Sequence, residues 1–99
     1  MINYEQVSMD IIINAGIAKS NAMFAIRKIK EKNWKEVDEL LLEGKNALTK
    51  AMQTHFEIIQ KESQGQKLEF KLLLMHAEDQ LMNAQTCLDL VEELMPLFK

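Results

Sequence analysis

Residues that interrupt helices are scarce along this chain. It has one proline, Pro96, and three glycines among 99 residues, and it lacks the alternating β-branched runs and Asn-Gly or Asp-Gly turns that indicate strands. Apolar residues recur instead at steps of three and four, the period of one helical face. The sequence therefore predicts an all-α fold with few turns.

Helix starts are marked by two asparagines. Asn3 is followed three residues later by Gln6, a capping pattern that favours a helix N-terminus. Asn33 stands in the same relation to Glu36. We therefore expect the first two helices to begin directly after these asparagines.

Helix ends are marked by glycine and proline. The polar stretch 61–67 contains Gly65, which readily adopts the left-handed conformation that ends a helix, and Pro96 stops the last helix. The predicted helices span residues 4–30, 34–61 and 67–95. Because the connections are short, we predict an antiparallel up-down-up bundle that forms a single domain over 1–99.

The third predicted helix has two apolar faces. At about 100° per residue, one stripe can pack against the first two helices; it comprises Phe70, Leu74, Ala77, Leu81, Ala84, Leu88, Val91 and Met95. A second stripe lies roughly opposite; it comprises Leu68, Leu72, Met75, Asp79, Met82, Thr86 and Leu90. Two partner helices cover one face more easily than both, so we expect other copies of the chain to cover the second stripe.

Assembly about a symmetry axis would bring the Asp79 side chains together. Converging buried carboxylates must become protonated, find cationic partners or bind a cation. Three such groups on a three-fold axis would offer oxygen ligands suited to Mg²⁺.

Composition narrows the classes of function. A formal net charge of -3 argues against a nucleic-acid partner, and no apolar run approaches the roughly 18 residues of a membrane span. The lone Cys87 cannot form an internal disulfide, and the N-terminal segment lacks the basic region of a signal peptide. We expect a cytoplasmic protein without direct membrane insertion.

Few residues can carry chemistry. The histidines His55 and His76 form no HExxH motif, and there is no cysteine-histidine cluster for zinc. His55 lies among polar neighbours and is predicted at the surface. His76 has Gln80 one helical turn further on and Asp79 to one side, and a neutral imidazole can accept a phosphoryl group and release it. From the residues alone, the plainer interpretation is an ordinary helix histidine and a solvated Asp79.

A resemblance favours the phosphoryl chemistry. "MHAEDQLM", residues 75–82, resembles the active-site segment of the lactose/cellobiose-type enzyme IIA proteins of the bacterial sugar phosphotransferase system, in which the pattern is His-x-x-Asp-His-Leu-Met. "IINAGIAKSNA", residues 12–22, is similar to the small-residue segment of that family's first helix. "KESQGQ", residues 61–66, resembles its loop before the third helix.

The resemblance implies a homotrimer of three-helix subunits, a nine-helix bundle. It implies that His76 accepts a phosphoryl group from the histidine-containing phosphocarrier protein and passes it to a cysteine of the cognate enzyme IIB. A membrane permease then uses it to phosphorylate a β-linked disaccharide such as cellobiose during uptake. The family aspartate, matched by Asp79, meets its two copies at the axis and commonly binds a divalent metal.

Two positions depart from the family pattern. Gln80 stands where a second histidine is usual; it can donate hydrogen bonds to a phosphoryl group but cannot titrate. Glu78 stands where a neutral residue is common and adds a negative charge near His76. Two alternatives therefore remain: a regulatory paralogue that does not transfer phosphate, which Gln80 favours, and a helical assembly protein without phosphate chemistry.

Overall fold

The first helix begins and ends with local backbone signals. In the computed structural model, which describes residues 1–99, α1 spans Tyr4–Lys30. Asn3 Oδ1 accepts a hydrogen bond from the Gln6 N–H at 3.1 Å, which satisfies one of the N–H groups that lack a helical partner. The chain then turns through Lys32, whose φ of 57° is left-handed. The predicted Asn3 cap is confirmed.

The second helix, α2, spans Trp34–Ser63. Asn33 Oδ1 accepts a hydrogen bond from the Glu36 N–H at 3.3 Å, so this predicted cap is also confirmed. The helix continues two residues beyond the predicted Lys61. Gly65 follows with a φ of 97°, a conformation in which a Cβ atom would be strained, and it ends the helix as the sequence predicts.

The third helix, α3, spans Leu72–Leu94, and the prediction that it begins near Lys67 is wrong. Residues 66–71 have no regular structure. The backbone N–H of Glu69 donates to the hydroxyl of Tyr4 at 2.9 Å, so this segment is tied to the start of α1 rather than wound into a helix. A hydrogen bond between residues so far apart in sequence leaves no local pattern.

The ends of the predicted core stripe on α3 differ from its middle. Phe70 lies before the helix and is 78% exposed, so its predicted burial is wrong. At the other end, the chain continues beyond α3 into a short 3-10 helix, Met95–Phe98, with Pro96 in its first turn. The change of helix type fits a proline, which cannot donate the next α-helical hydrogen bond.

The three helices form an elongated bundle measuring 49 × 20 × 17 Å. α1 packs extensively against both other helices, whereas α2 and α3 contact each other much less. The predicted all-α three-helix fold is confirmed. No helix combines the length and apolarity that crossing a membrane requires.

Small residues form the side of α1 that faces its neighbours. Four of its alanines are essentially inaccessible: Ala15, Ala18, Ala22 and Ala25. They allow the helices to approach closely; Ile11 is the large fully buried side chain of α1, and most of the other large core side chains come from α2 and α3. Those of α3 are the middle of its first stripe: Leu74, Leu81, Leu88 and Val91.

The part of the second stripe that lies on α3 is exposed in the single chain, whereas Leu68 precedes the helix and is half-buried against the core. Leu72 is 74% exposed and Leu90 is 55% exposed, and Met75 and Met82 are also largely accessible. On α1, Ile13 and Ile17 are exposed as well. Apolar area of this extent is typical of a surface that another protein covers.

Candidate functional site

His76 lies on the outer side of α3, in the second turn of the helix. Its side chain is exposed and makes no ion pair within the chain. The neighbouring Ala77 is fully buried and fixes which side of the helix faces the core. The imidazole is therefore presented to solvent from a helix whose opposite face is packed.

Gln80 and Asp79 flank His76 on the same outer side. Gln80 follows one turn later, about 40° round the helix, and is half-buried. Asp79 is exposed, about 60° to the other side of His76, and is part of the second apolar stripe. The structure thus brings the three predicted site residues to one face, with the amide and the carboxylate on opposite sides of the imidazole.

Glu78 points away from this group. Its Oε2 contacts Nδ1 of His55 on α2, and the two side chains are only 22% and 18% exposed. Residues two positions apart on a helix lie about 160° from each other around the axis. Glu78 is therefore almost opposite His76. Its negative charge is directed into the α2–α3 boundary and not toward the outer face.

His55 was predicted at the surface, and that prediction is wrong. The polar residues around it in sequence face solvent, but His55 itself lies seven residues after Leu48 and fourteen after Leu41, which is buried. Steps of seven return to nearly the same helical face. That spacing is the signal that places His55 beside the core.

The single chain does not contain a complete metal site. No group of three histidine, cysteine, aspartate or glutamate side chains is placed to hold an ion. Asp79 takes part in none of the ion pairs, so its carboxylate is free to act as one ligand. A divalent ion bound at Asp79 would need further ligands from outside the group of protein side chains near it in the single chain.

Comparison with known proteins decides the family. The model of the family described as "PTS system, Lactose/Cellobiose specific IIA subunit" matches residues 6–99. The chain belongs to this family. It is therefore a component of the phosphotransferase system, and the general role of this IIA protein is that of a phosphocarrier.

Curated relatives support the assignment to the IIA family. The oligo-β-mannoside-specific EIIA component of Bacillus subtilis (strain 168) is 42% identical over 96% of this chain and 86% of its own length. The lichenan-specific enzyme IIA component of the same organism is 38% identical over the same shares. The cellobiose-specific EIIA component of Lactococcus lactis is 35% identical over 92% of this chain and 78% of its own length.

Solved structures share the whole fold. The crystal structure of the PTS cellobiose-specific enzyme IIA from Bacillus anthracis superposes with a TM-score of 0.92 and 39% identity, over 99% of this chain and 90% of that one. PtcA from S. mutans also gives a TM-score of 0.92, with 28% identity, over 99% and 98%. The IIA bundle therefore matches experimental structures from end to end.

Proposed function

We propose that this IIA protein accepts a phosphoryl group on His76 from the histidine-containing phosphocarrier protein and passes it to a cysteine of its cognate enzyme IIB. The observation that carries the proposal is the exposed imidazole of His76 on a face of α3 with no competing ion pair. A phosphoryl relay needs a nucleophile that two partner proteins can reach in turn. We place this exchange in the cytoplasm.

Each transfer exchanges one bond to phosphorus for another. A ring nitrogen of His76 attacks the phosphoryl group and forms an N–P bond while the N–P bond to the donor histidine breaks; the donor ring takes up one proton and leaves as a neutral imidazole, and the ring of His76 gives up the proton on its other nitrogen, so that the protons balance. In the second step the thiolate of enzyme IIB forms an S–P bond while the N–P bond to His76 breaks, and His76 takes up a proton from water and returns to a neutral imidazole. The amide of Gln80 is placed to donate a hydrogen bond to a phosphoryl oxygen.

The names of the relatives support a β-linked sugar as the final acceptor. The three relatives described above are named for oligo-β-mannoside, lichenan and cellobiose. We propose a β-linked disaccharide such as cellobiose as the transported sugar. Because a IIA protein hands its phosphoryl group to IIB, the sugar is selected by the partners and not by His76.

We also propose that three copies assemble with the second stripe of α3 inward. The exposed Leu72, Met75 and Leu90 supply the apolar area that this assembly would bury. Asp79 from each copy would lie near the axis and hold a divalent ion, most suitably Mg²⁺. The ion would neutralise carboxylates that otherwise repel one another.

The phosphoryl proposal is tested by reconstituting the relay. The protein is incubated with phosphoenolpyruvate, enzyme I and the phosphocarrier protein, and intact mass is measured before and after acid treatment. We expect one acid-labile phosphoryl group in the wild type and in His55→Gln, and none in His76→Ala. An unmodified wild type contradicts the carrier proposal.

Gln80 favours one alternative, a regulatory paralogue that does not transfer phosphate. Under that alternative the wild type stays unmodified, whereas Gln80→His, which restores the usual second histidine, becomes phosphorylated. Under the carrier proposal the wild type is modified and Gln80→Ala slows the transfer. The pair of variants therefore separates the two functions.

The assembly is tested by light scattering and elemental analysis. We expect the mass of three 11.5 kDa chains. Asp79→Leu should keep or strengthen the trimer while it removes the bound metal, because an apolar residue replaces repelling carboxylates. Asp89→Leu, at an exposed acid outside the stripe, is the control and should keep the metal. A monomeric wild type contradicts the assembly proposal.

A further inference from the structure

The start of α3 is held less firmly by local signals than the starts of the other helices. Lys71 occupies the cap position without a side-chain hydrogen bond, and the first turn contains no acidic residue. A lysine at this end also opposes the helix dipole. The turns that carry His76 therefore depend on tertiary contacts for their position.

α2 contributes few of those contacts. Two polar side-chain pairs join α2 to α3, namely His55 with Glu78 and Lys45 with Glu92. The second pair is more exposed, with side chains 50% and 31% accessible, and lies about 21 Å further along α3. Near His76, the His55–Glu78 contact is the polar side-chain pair that links α2 to α3.

The position of the His55 ring is fixed by its contact with Glu78. Its Nδ1 atom is buried and has no other polar partner, and a buried polar atom left without a partner destabilises the arrangement that leaves it so. Any movement of α3 that withdraws Glu78 would strand Nδ1. The pair therefore resists rotation of the first turns of α3 away from α2.

We infer that His55 is a positioning residue for phosphoryl transfer: by holding Glu78, it fixes the rotational setting of the turn that presents His76. This inference rests on the proposed function of His76. Glu78 and His76 lie on nearly opposite sides of α3. A rotation of this part of α3 about its axis that separates Glu78 from His55 therefore also displaces His76. A turn of about 20° moves a side-chain tip by roughly 2 Å at the 5–6 Å radius of a helix.

Such a displacement matters because phosphoryl transfer needs the nucleophile in line with the bond that breaks. Misplacement by about 1 Å can cost a reaction on the order of 100-fold. The partner proteins dock on a whole surface, of which the His76 turn is one part, whereas transfer depends on the position of one nitrogen of His76. The rotational setting of this turn therefore affects mainly the step after docking. His55 should therefore influence kcat more than KM.

The test compares His55→Ala, His55→Gln and Lys45→Ala. Amide hydrogen exchange is measured over residues 72–80, and initial rates of His76 phosphorylation are measured at several concentrations of phosphocarrier protein. We expect His55→Ala to exchange about tenfold faster in this segment and to lose about tenfold or more in kcat with little change in KM. His55→Gln, whose amide can donate to Glu78, should restore most of both.

Lys45→Ala is the matched control, since it removes the other polar pair between α2 and α3, Lys45 with Glu92. It should leave exchange over residues 72–80 and the transfer rate unchanged. Unchanged exchange in His55→Ala would overturn the inference, and so would faster exchange at an unchanged rate. Glu78→Gln is a second variant for the case in which His55→Ala does not fold. Because its amide still gives Nδ1 a polar partner, its exchange and its transfer rate should stay near those of the wild type.

Failure of the proposed function would be recognised separately. If wild-type protein accepts no phosphoryl group, the carrier proposal fails, and with it the role of His55 in transfer. The exchange measurements still decide whether His55 holds the turn. Faster exchange in His55→Ala alone would keep the structural step of the inference, and unchanged exchange would remove it as well.

Discussion

Gly44 lies where α2 meets both other helices, and replacing it tests how closely they pack. A Cβ atom added there would lie 3.2 Å from Cδ1 of Leu88, 3.4 Å from Cβ of Asn21 and 3.6 Å from the carbonyl oxygen of Ala18. Leu88 is 1% exposed and has little room to move. Asn21 is held by a hydrogen bond from Nδ2 to the Leu40 carbonyl oxygen at 3.0 Å.

Two effects of opposite sign determine the stability of Gly44→Ala. Alanine stabilises a helix interior by about 1 kcal/mol relative to glycine. Crowding in a packed core costs about 1–3 kcal/mol. Since both close neighbours are constrained, we expect crowding to prevail, with a net loss of about 0–2 kcal/mol.

Gly16 supplies the matched comparison, because nothing lies within 4 Å of its added Cβ. Gly16→Ala should gain the full helix preference, about 1 kcal/mol. The two variants should therefore differ by about 1–3 kcal/mol, which corresponds to a separation of roughly 5–20 °C in Tm for a domain of this size.

Thermal unfolding followed by far-UV circular dichroism measures the separation. All proteins are compared at one concentration, since assembly makes Tm concentration-dependent, and light scattering checks that each variant keeps the wild-type mass. If Gly44→Ala is stabilised as much as Gly16→Ala, the close three-helix contact at Gly44 does not exist and the reasoning fails.

Two further variants test connections at the ends of the bundle. Tyr4→Phe removes the hydroxyl that accepts from the Glu69 N–H, and exchange of that amide should become about fivefold faster by NMR, as expected for a hydrogen bond of about 1 kcal/mol; unchanged exchange would contradict a role for this bond. Hydrogen bonds to Glu36 and Glu31 raise the pKa of Lys28 above its ordinary value of 10.5. The stabilisation is therefore complete below pH 10.5 and is lost as pH rises through the raised pKa. Lys28→Met should flatten that part of the stability curve in urea unfolding, and an unaltered curve would show that the contacts are too solvated to matter.

The helical period and the caps could be predicted from sequence because both are local. Asn3 and Asn33 act on groups three residues away, and the middle of the α3 core stripe follows from spacing alone. The start of α3 could not be placed in this way. Residues 67–71 are compatible with a helix, but a hydrogen bond to Tyr4, 65 positions from Glu69, holds them in another conformation.

The candidate site divides along the same line. His76, Gln80 and Asp79 share a face because they are neighbours on one helix, so their relation could be predicted from spacing. The pairing of His55 with Glu78 depends on how α2 and α3 align, which no short motif encodes. The polar residues next to His55 in sequence face away from the core, and they led to the prediction that His55 lies at the surface.

At the alanines of α1, substitutions that add atoms should be more damaging than substitutions that remove them. In most cores the damaging changes remove large side chains, and an alanine scan finds them. Here Ala15, Ala18, Ala22 and Ala25 lie buried between the helices. Because these residues are already alanine, an alanine scan would not test them. The sensitivity of these positions would emerge only in a screen that adds atoms, because a larger side chain at a fully buried alanine crowds the neighbouring helices.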